Sequence, residues 1–358
     1  MINEKPTWSG TLQKLPMYPF RFEPIYKEYF WGGSRIENRF MRTAIPHGRI
    51  AESWEVVDHE NGVSAIANGP FAGKSLHEAV VSHPEGIFGT KTNPLDRFGR
   101  FPLMLKYINA EELVSVQVHP DETKAADLGY PDSGKAEAWI VVDAAPESVM
   151  YIGWNRPYSR SDVVSALREG RIESLLHKIQ PKVGDCFMIE PGTVHTLGGG
   201  ILVAEVQQTS DMTFRLFDWN RKDTDGNERP LQVEQALQAI NYQQGAVFPQ
   251  KPFPAEYRDC QRLVTSNGFT LNRWSFEEMM VWASDNRCHI WSVLHGSVTA
   301  IFHLGRRGTP ENLSGRQSDP IVMECLNRGD TLLVPNACRS IQWTSDGDEG
   351  VILLDAFV

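Results

Sequence analysis

Short apolar runs separated by turn residues dominate the pattern of hydrophobic and polar positions along the chain. The runs are rich in Val, Ile, Leu, Phe and Trp, and turn signals recur about every ten residues. This pattern is typical of the strands of an antiparallel sandwich or barrel. The predicted strands cover residues 53–57, 63–67, 101–108, 113–118, 138–142, 186–189, 201–207, 269–276, 289–294, 297–302, 331–334 and 350–354.

Asn61 and Gly62 lie between the predicted strands 53–57 and 63–67. An Asn-Gly pair between two β-rich runs favours a tight turn, because both residues tolerate the left-handed backbone conformation. We therefore predict that these two strands pair with each other as a hairpin.

Helical periodicity is confined to two stretches of the chain. Ser161 and Asp162 precede an apolar stripe that Gly170 interrupts, and we predict a helical insert at about 158–180. A second helical piece is predicted at about 231–241, where apolar residues recur with the spacing of one helix face.

Two further patterns suggest how the chain is divided. Residues 243–256 contain three prolines and no periodicity, so we predict a boundary between domains 1–245 and 246–358. Residues 184–191 and 329–335 share a Gly-Asp turn, a β-rich run and a proline, as two copies of one barrel would. The fold class predicted is mainly β, with two barrels and a small helical insert.

Composition and charge narrow the possible partners. The chain has 35 Lys and Arg against 45 Asp and Glu, a net charge of −10, which argues against nucleic acid as the main partner. No apolar stretch reaches the ~18 residues of a membrane span, and residues 1–20 lack the apolar core of a signal peptide. Five cysteines without a Cys-x-x-Cys motif suggest reduced thiols and a cytoplasmic location.

Four residues form a candidate metal site. Gln117 and His119 are two positions apart on a predicted strand, so their side chains project to the same face. Glu137 begins another β-rich run, and His195 follows a strand and the turn at Pro191. Two imidazoles, a carboxylate and an amide oxygen suit a divalent metal that keeps room for water or substrate. Each residue alone is more typical of a structural or solvent-exposed position, and the joint pattern carries the prediction.

These motifs resemble those of the type I mannose-6-phosphate isomerases, zinc-dependent members of the cupin superfamily. The resemblance covers most of the chain, and the compact segment 210–221 is similar to that of the shorter bacterial branch. The matching segments are QVHP at 117–120, KAEAW at 135–139, PGTVH at 191–195, and the stretches 20–33, 52–73, 101–120 and 210–221.

The resemblance implies cupin-like (jelly-roll) barrels and one zinc ion per chain. It also implies a reaction in which mannose 6-phosphate and fructose 6-phosphate interconvert by proton transfer through an enediol. The residues carried over are Gln117, His119, Glu137 and His195 as zinc ligands, Lys135 and Arg215 as catalytic residues, and Asp211 and Arg221 as substrate-binding residues.

Two positions depart from the longer members of the family. Ala136 stands where they have proline, and Arg221 stands where they have lysine. Because arginine and lysine differ in geometry, the second change leaves open how the phosphate is held.

The C-terminal barrel is expected to lack a metal. In the second Gly-Asp repeat Arg339 occupies the place of His195, and a protonated guanidinium has no lone pair to give a metal. No role is assigned to the remaining histidines outside the four-residue set, among them His47, His59, His289, His295 and His303.

Alternative interpretations remain at this stage. Lys135 is also compatible with a solvated turn residue, and Arg215 with a structural partner of Asp211, four residues away. At the level of function, the alternatives are a metal-dependent cupin dioxygenase and a sugar-binding cupin without turnover.

Overall fold

The computed structural model describes residues 17–42, 45, 48–89, 94–222, 226–304 and 321–358. Residues 1–16, part of the segment for which no signal peptide is expected, and His47 lie outside the described residues. All five cysteines are described, and all are free.

The described residues are mostly strands. Up to residue 217 the strands are β1 (Phe20–Glu23), β2 (Ile25–Gly33), β3 (Ile50–Val56), β4 (Asp58–His59), β5 (Gly62–Val63), β6 (Ala65–Ile66), β7 (Leu103–Ala110), β8 (Val116–Val118), β9 (Glu137–Ala144), β10 (Val149–Trp154), β11 (Leu176–Ile179), β12 (Cys186–Ile189), β13 (His195–Gly198), β14 (Ile201–Gln208) and β15 (Phe214–Phe217). The later strands are β16 (Phe253–Pro254), β17 (Cys260–Thr265), β18 (Thr270–Phe276), β19 (Met279–Ala283), β20 (His289–His295), β21 (Ser297–Leu304), β22 (Ile321–Asn327), β23 (Thr331–Val334), β24 (Cys338–Ser345) and β25 (Val351–Phe357).

Helices are few and short. They are α1 (Arg35–Phe40), α2 (Leu76–Ser82), α3 (Pro84–Phe88), α4 (Glu122–Asp127), α5 (Arg160–Arg168) and α6 (Val233–Ala239), with 3-10 turns at Gly69–Phe71 and Ile172–Leu175. Within the described ranges, none of these helices has both the length and the apolar character that a bilayer crossing requires.

The N-terminal half contains two facing antiparallel sheets. One has the order β12-β9-β14-β7-β3-β2 and the other β11-β10-β13-β8-β15. Apolar side chains from both sheets, such as Trp139, Ile152 and Leu197, fill the space between them. Helices α5 and α6 cover the outer face of the five-stranded sheet with a separate apolar cluster. The predicted mainly β class is therefore confirmed.

The C-terminal half repeats this arrangement with sheets of order β16-β17-β18-β25-β20-β23-β1-β6 and β19-β24-β21-β22. Their apolar interior is continuous with the outer face of β7 and β14. The Tyr107 hydroxyl on β7 lies 2.7 Å from the Ser292 hydroxyl on β20, so the two halves also share polar contacts.

Strand β1 belongs by sequence to the first half but pairs with β23 of the second. The division of the chain at residue 245 stays a prediction, and β1 crosses it. Joining the first described strand to the C-terminal sheet fixes the two halves to each other through backbone hydrogen bonds.

The two Gly-Asp repeats have matching conformations. Gly184 and Gly329 have φ angles of 90° and 89°, a left-handed backbone that favours glycine. In each, the glycine amide donates to a carbonyl of a neighbouring strand, at 2.9 Å and 2.8 Å. In each, the following aspartate accepts from the amide three residues earlier, at 2.9 Å. His195 then begins β13, whereas Arg339 is the second residue of β24.

The predicted hairpin of strands 53–57 and 63–67 is wrong. The turn forms, but only β4 and β5, two residues each, pair across it. Strand β3 pairs instead with β2 and β7, and β6 pairs with β1. Because β3 is almost wholly buried, it occupies the interior of a sheet rather than a two-stranded ribbon.

The predicted helical segments are partly right. Helix α5 begins after Ser159, which forms a capping box with Asp162, and α6 lies within the predicted range 231–241. The end of the predicted insert 158–180 is the strand β11, which pairs with β10. Helices α1, α2, α3 and α4, of five to seven residues each, were not predicted.

His289 forms a buried ion pair in the second half. Its Nδ1 lies 2.6 Å from Asp355 Oδ1, and its Nε2 lies 2.9 Å from Asp285 Oδ1. Burial lowers the pKa of His289, but Asp355 and Asp285 outweigh burial and raise it from 6.5 to about 9. The imidazolium therefore contributes stability that is complete below about pH 6.5 and is lost as the pH rises through about 9.

We expect His289→Gln to lower the free energy of unfolding most near pH 6, with a smaller loss near pH 10. The pKa shift sets the pH-dependent part at about 3 kcal/mol at most. Urea unfolding of wild type and variant at several pH values measures it, and His303→Gln on β21 serves as a control. The same loss at both pH extremes would mean that folded His289 is neutral.

Candidate functional site

Three neighbouring strands place the candidate residues in one row. His195 on β13 lies opposite Gln117 on β8, and Gln117 lies opposite Arg215 on β15. Residues directly opposite in an antiparallel pair project to the same face. The row therefore faces the six-stranded sheet, where Glu137 is the first residue of β9.

His119, Glu137 and His195 converge at the centre of this face. One potential ligand atom from each lies within 4.8 Å of the other two, and all three residues are buried. The Glu137 carboxylate oxygens lie 3.3 Å from His119 Nε2 and 3.4 Å from His195 Nε2. Within the described ranges, no other group of three or more His, Cys, Asp or Glu side chains has metal-ligand spacing.

Backbone carbonyls orient both imidazoles. His119 Nδ1 donates to the Met212 carbonyl at 2.8 Å, and His195 Nδ1 donates to the Thr193 carbonyl at 2.9 Å. These bonds assign the proton to Nδ1 and leave the Nε2 lone pairs directed at Glu137.

Gln117 completes the set of four predicted ligands. Its side-chain amide lies 3.2 Å from His195 Nε2, and the amide oxygen reaches the same place after a half-turn of the amide group. The sequence reading predicted these four residues as ligands, and the fold brings them together.

The protonation states suit a cation. Burial and, after it, the nearby Lys135 charge lower the pKa of His119 from 6.5 to about 4. Burial also lowers the pKa of His195. Burial raises the pKa of Glu137, but Lys135 and His119 outweigh burial and hold it well below its usual value. Neutral imidazoles and an ionised carboxylate are the forms that bind a metal.

The surroundings of the Glu137 carboxylate show whether a metal fits the site. Both oxygens are fully buried and accept no well-aligned hydrogen bond, although Lys135 Nζ lies 2.8 Å from Oε2. Lys135 reaches Oε2, but each oxygen also faces an imidazole nitrogen at 3.3–3.4 Å, and a metal bound among these atoms would satisfy the carboxylate and both lone pairs. The donor set of nitrogen and oxygen atoms therefore fits a divalent metal.

Lys135 is buried, which rules out the alternative of a solvated turn residue. Its Nζ lies 3.3 Å from His119 Nε2 and 3.7 Å from Glu205 Oε1. The lysine therefore lies beside the candidate metal ligands.

A cavity of about 270 Å³ opens next to the metal ligands. Its volume is close to the lower end of the range for small-molecule sites, and it is lined by both charged and aromatic side chains. The lining residues are Tyr29, Trp31, Glu52, Lys106, Ile108, Val114, Ser115, Gln117, Lys135, Trp139, Leu197, Glu205, Asp211, Thr213, Arg215 and Arg229. A larger cavity of about 870 Å³ beside α3 does not contain the metal ligands, so the smaller one is the candidate site.

Sequence reasoning missed a charged network in this cavity. Lys106 Nζ lies 3.1 Å from Glu205 and 3.6 Å from Glu52. Burial lowers the pKa of Lys106, but Glu205 and Glu52 outweigh burial and raise it. Trp139 Nε1 donates to Glu205 at 2.7 Å. One available signal was a charged residue inside an otherwise apolar strand, as in FPLMLKYI and ILVAEVQ.

The remaining predicted residues differ in their positions. Arg215 and Asp211 line the cavity, but in the described part of the chain no ion pair within 4 Å joins them. Asp211 instead accepts from Asn61 Nδ2 at 2.7 Å. The pairing alternative for Arg215 is therefore not supported.

Arg221 does not line the cavity, in contrast to its predicted substrate-binding role. Its guanidinium donates to the Leu113 carbonyl and to the Asp218 carboxylate. It also lies 4.7 Å from the centre of the Phe30 ring. Through these contacts Arg221 holds the segment after β15 in place.

Asp132 anchors the segment that carries Asp211. Its carboxylate accepts from the Asp211 amide at 2.9 Å, Ser210 Oγ at 3.1 Å, Arg100 Nη2 at 2.9 Å and His59 Nε2 at 3.2 Å. Burial raises the pKa of Asp132, but the hydrogen bonds from His59 and Asp211 outweigh burial and hold it far below its usual value. His59, to which no role was assigned, thus supports the cavity wall.

We expect Asp132→Ala to destabilise the fold by about 2–4 kcal/mol, since it leaves buried donors unpaired. It should also raise the KM for the substrate of the cavity, because the segment with Asp211 loses the carboxylate that holds its backbone amide. Asp96→Ala is the matched control, because it removes the other carboxylate bound to Arg100 and leaves the Asp211 amide satisfied. Equal KM values in the two variants would contradict the anchoring role.

Known proteins resemble this chain along most of its length. A family model for the catalytic domain of type I phosphomannose isomerase matches residues 19–148. The probable mannose-6-phosphate isomerase GmuF of Bacillus subtilis (strain 168) is 33% identical over 281 residues, which is 78% of this chain and 87% of that protein. The mannose-6-phosphate isomerase of Streptococcus mutans serotype c is 31% identical over 322 residues, which is 90% of this chain and 93% of that protein.

A comparison with solved structures supports the same family as the comparison of sequences. The crystal structure of the mannose 6-phosphate isomerase from Bacillus subtilis superposes with a TM-score of 0.81 at 27% identity, covering 96% of this chain and 100% of that one. The predicted cupin-like architecture is therefore confirmed. Together with the sequence relatives, this shows that the chain belongs to the type I mannose-6-phosphate isomerase family and is an isomerase.

Proposed function

We propose that this chain is a zinc-dependent isomerase that interconverts mannose 6-phosphate and fructose 6-phosphate through an enediol. One zinc ion per chain is held by Gln117, His119, Glu137 and His195. The observation that carries the proposal is the buried Glu137 carboxylate, which faces two imidazole lone pairs beside a small cavity.

The ligand types favour zinc. Imidazole and carboxylate suit a borderline metal, and a neutral amide ligand leaves more positive charge on the ion than a second carboxylate would. When bound, the zinc ion supplies a Lewis acid that polarises substrate oxygens.

The surrounding residues complete the chemistry. Interconversion moves a proton between C1 and C2, and negative charge develops on the substrate oxygens. Lys135 lines the cavity beside the proposed metal ligands and places positive charge next to this region, and Arg215 adds positive charge to the cavity from the neighbouring strand. Lys135 and Glu205 are buried titratable groups of the cavity, and they are the candidates for moving the proton.

The walls of the cavity shield a bound substrate from water. Trp31 and Trp139 are buried and contribute apolar surface, while Asp211 offers an acceptor to sugar hydroxyls. The combination suits a small polar molecule that carries a phosphate group.

A coupled assay of zinc-loaded protein with mannose 6-phosphate, reading the formation of fructose 6-phosphate, tests the activity directly. The same reaction in D₂O should place solvent deuterium on C1 of the product, because an enediol exchanges its proton with the base and water. Deuterium at C1 would support the enediol route over a direct hydride shift from C2 to C1, which introduces none from the solvent. Binding without turnover would support a non-catalytic cupin, and oxygen uptake by iron-loaded protein would support a dioxygenase.

A further inference from the structure

Among the described residues, two arginines of the cavity lack a carboxylate partner. Arg215 and Arg229 both line it, and in the described part of the chain neither has a carboxylate within 4 Å. Arg215 Nε is also buried without a hydrogen-bond partner. A guanidinium with this environment is expected to bind an anion from outside the chain.

Several neighbouring charges are already paired, whereas the Asp211 carboxylate of the cavity accepts from Asn61 Nδ2 and forms no ion pair in the described part of the chain. Lys106 is bound by Glu205 and Glu52, and Asp218 is bound by Arg221. The charge of the two free guanidinium groups is therefore not cancelled by these ion pairs.

The two arginines are close enough to repel each other. Burial lowers the pKa of Arg229, and the charge of Arg215 lowers it further. Bringing like charges together inside a cavity costs free energy, which an anion bound between them would offset.

Gln232, three residues after Arg229, is held beside β15. The Gln232 amide donates to the Arg215 carbonyl at 2.9 Å, and the Arg215 amide donates to Gln232 Oε1 at 3.2 Å. The segment with Arg229 therefore runs along the edge of β15. On its other side, the Arg229 guanidinium lies 6.0 Å from the centre of the Tyr29 ring, which stacks on Trp31.

We propose that Arg229, together with Arg215, binds the phosphate group of the sugar phosphate. Two planar guanidinium groups match a dianionic phosphate in charge and donate to its oxygens in pairs. This inference rests on the proposed function for the identity of the substrate. It gives to Arg229 the phosphate-binding role that the sequence suggested for Arg221.

Zinc-loaded Arg229→Gln tests the inference, with Arg229→Lys as the conservative variant. We expect KM for mannose 6-phosphate to rise about 10- to 100-fold and kcat to change little, because the phosphate lies away from the reacting carbons. Calorimetry with inorganic phosphate should show a similar loss of affinity. Arg229→Lys should recover part of both, because it keeps the charge and loses the planar fork.

Arg168→Gln is the matched control, because it removes the same charge from an exposed position on α5. Its KM and its affinity for phosphate should equal those of the wild type. Thermal unfolding and zinc content verify that each variant is folded and loaded.

The two proposals fail in different ways. If the wild type turns over mannose 6-phosphate and Arg229→Gln leaves KM and phosphate affinity unchanged, the role of Arg229 is refuted and the isomerase function stands. If the wild type lacks turnover but Arg229→Gln still weakens phosphate binding, the anion site stands and the isomerase function fails. Wild-type protein that binds no phosphate overturns the anion site.

Discussion

Glu137→Ala is expected to lose its metal and its isomerase activity together. Glu137 is the one anionic side chain among the four proposed ligands, and both its oxygens are buried without a well-aligned hydrogen bond. Loss of groups that merely orient ligands costs about 10- to 100-fold in metal affinity or activity. Loss of the carboxylate itself should cost at least about as much.

Glu205→Gln provides the control for this experiment. It also removes a buried charge beside Lys135, but Glu205 is not in the group of metal ligands. Metal analysis should therefore find zinc in Glu205→Gln and little in Glu137→Ala. If Glu137→Ala retains one zinc per chain and normal turnover, the proposed ligand set is incorrect.

The candidate metal site was accessible from the sequence because strands have a simple period. Gln117 and His119 project to the same face of a strand two positions apart, Glu137 begins a β-rich run and His195 follows a strand and a turn, and the resemblance added support to this set. The fold brings all four together through the pairing of β13 with β8 and the facing of β9. The local sequence pattern was enough to predict these candidate ligands, because each of them lies on or beside a buried strand.

Pairing between distant strands was not accessible in the same way. The hairpin prediction used only the Asn61-Gly62 turn, whereas β3 gains more burial between β2 and β7 than beside its neighbour in sequence. The pairing of β1 with β23 joins residues about 310 positions apart, and no local period predicts it.

The charged residues of the cavity were missed for related reasons. Lys106 and Glu205 lie inside apolar runs, and their partners are on other strands. Arg229 lies in a segment without periodicity, where the sequence shows no reason to prefer it over Arg221. Only the tertiary fold shows that Arg221 is already bound to Asp218 and that Arg229 faces the cavity.

Arg215→Ala is expected to lower kcat/KM about 30- to 1000-fold while zinc content stays unchanged. Arg215 lies in register with the proposed ligand Gln117, so its charge is one strand away from the metal ligands. Loss of a charge-assisted contact in such a site is worth roughly 2–4 kcal/mol. Arg215→Lys should recover little, because lysine lacks the planar fork that donates to two oxygens at once.

A double-mutant cycle with Asp211 separates catalysis from structure. Asp211 accepts from Asn61 and forms no ion pair with Arg215 in the described part of the chain, so the two single effects should be nearly additive in unfolding experiments. Steady-state kinetics, zinc analysis and urea unfolding are measured on the two single variants and the double variant. Arg215→Ala with normal kcat/KM, or a strong stability coupling between Arg215 and Asp211, would return Arg215 to a structural role. A large loss of kcat/KM in a protein of normal stability and full zinc content would place the arginine among the groups that bind the reacting substrate.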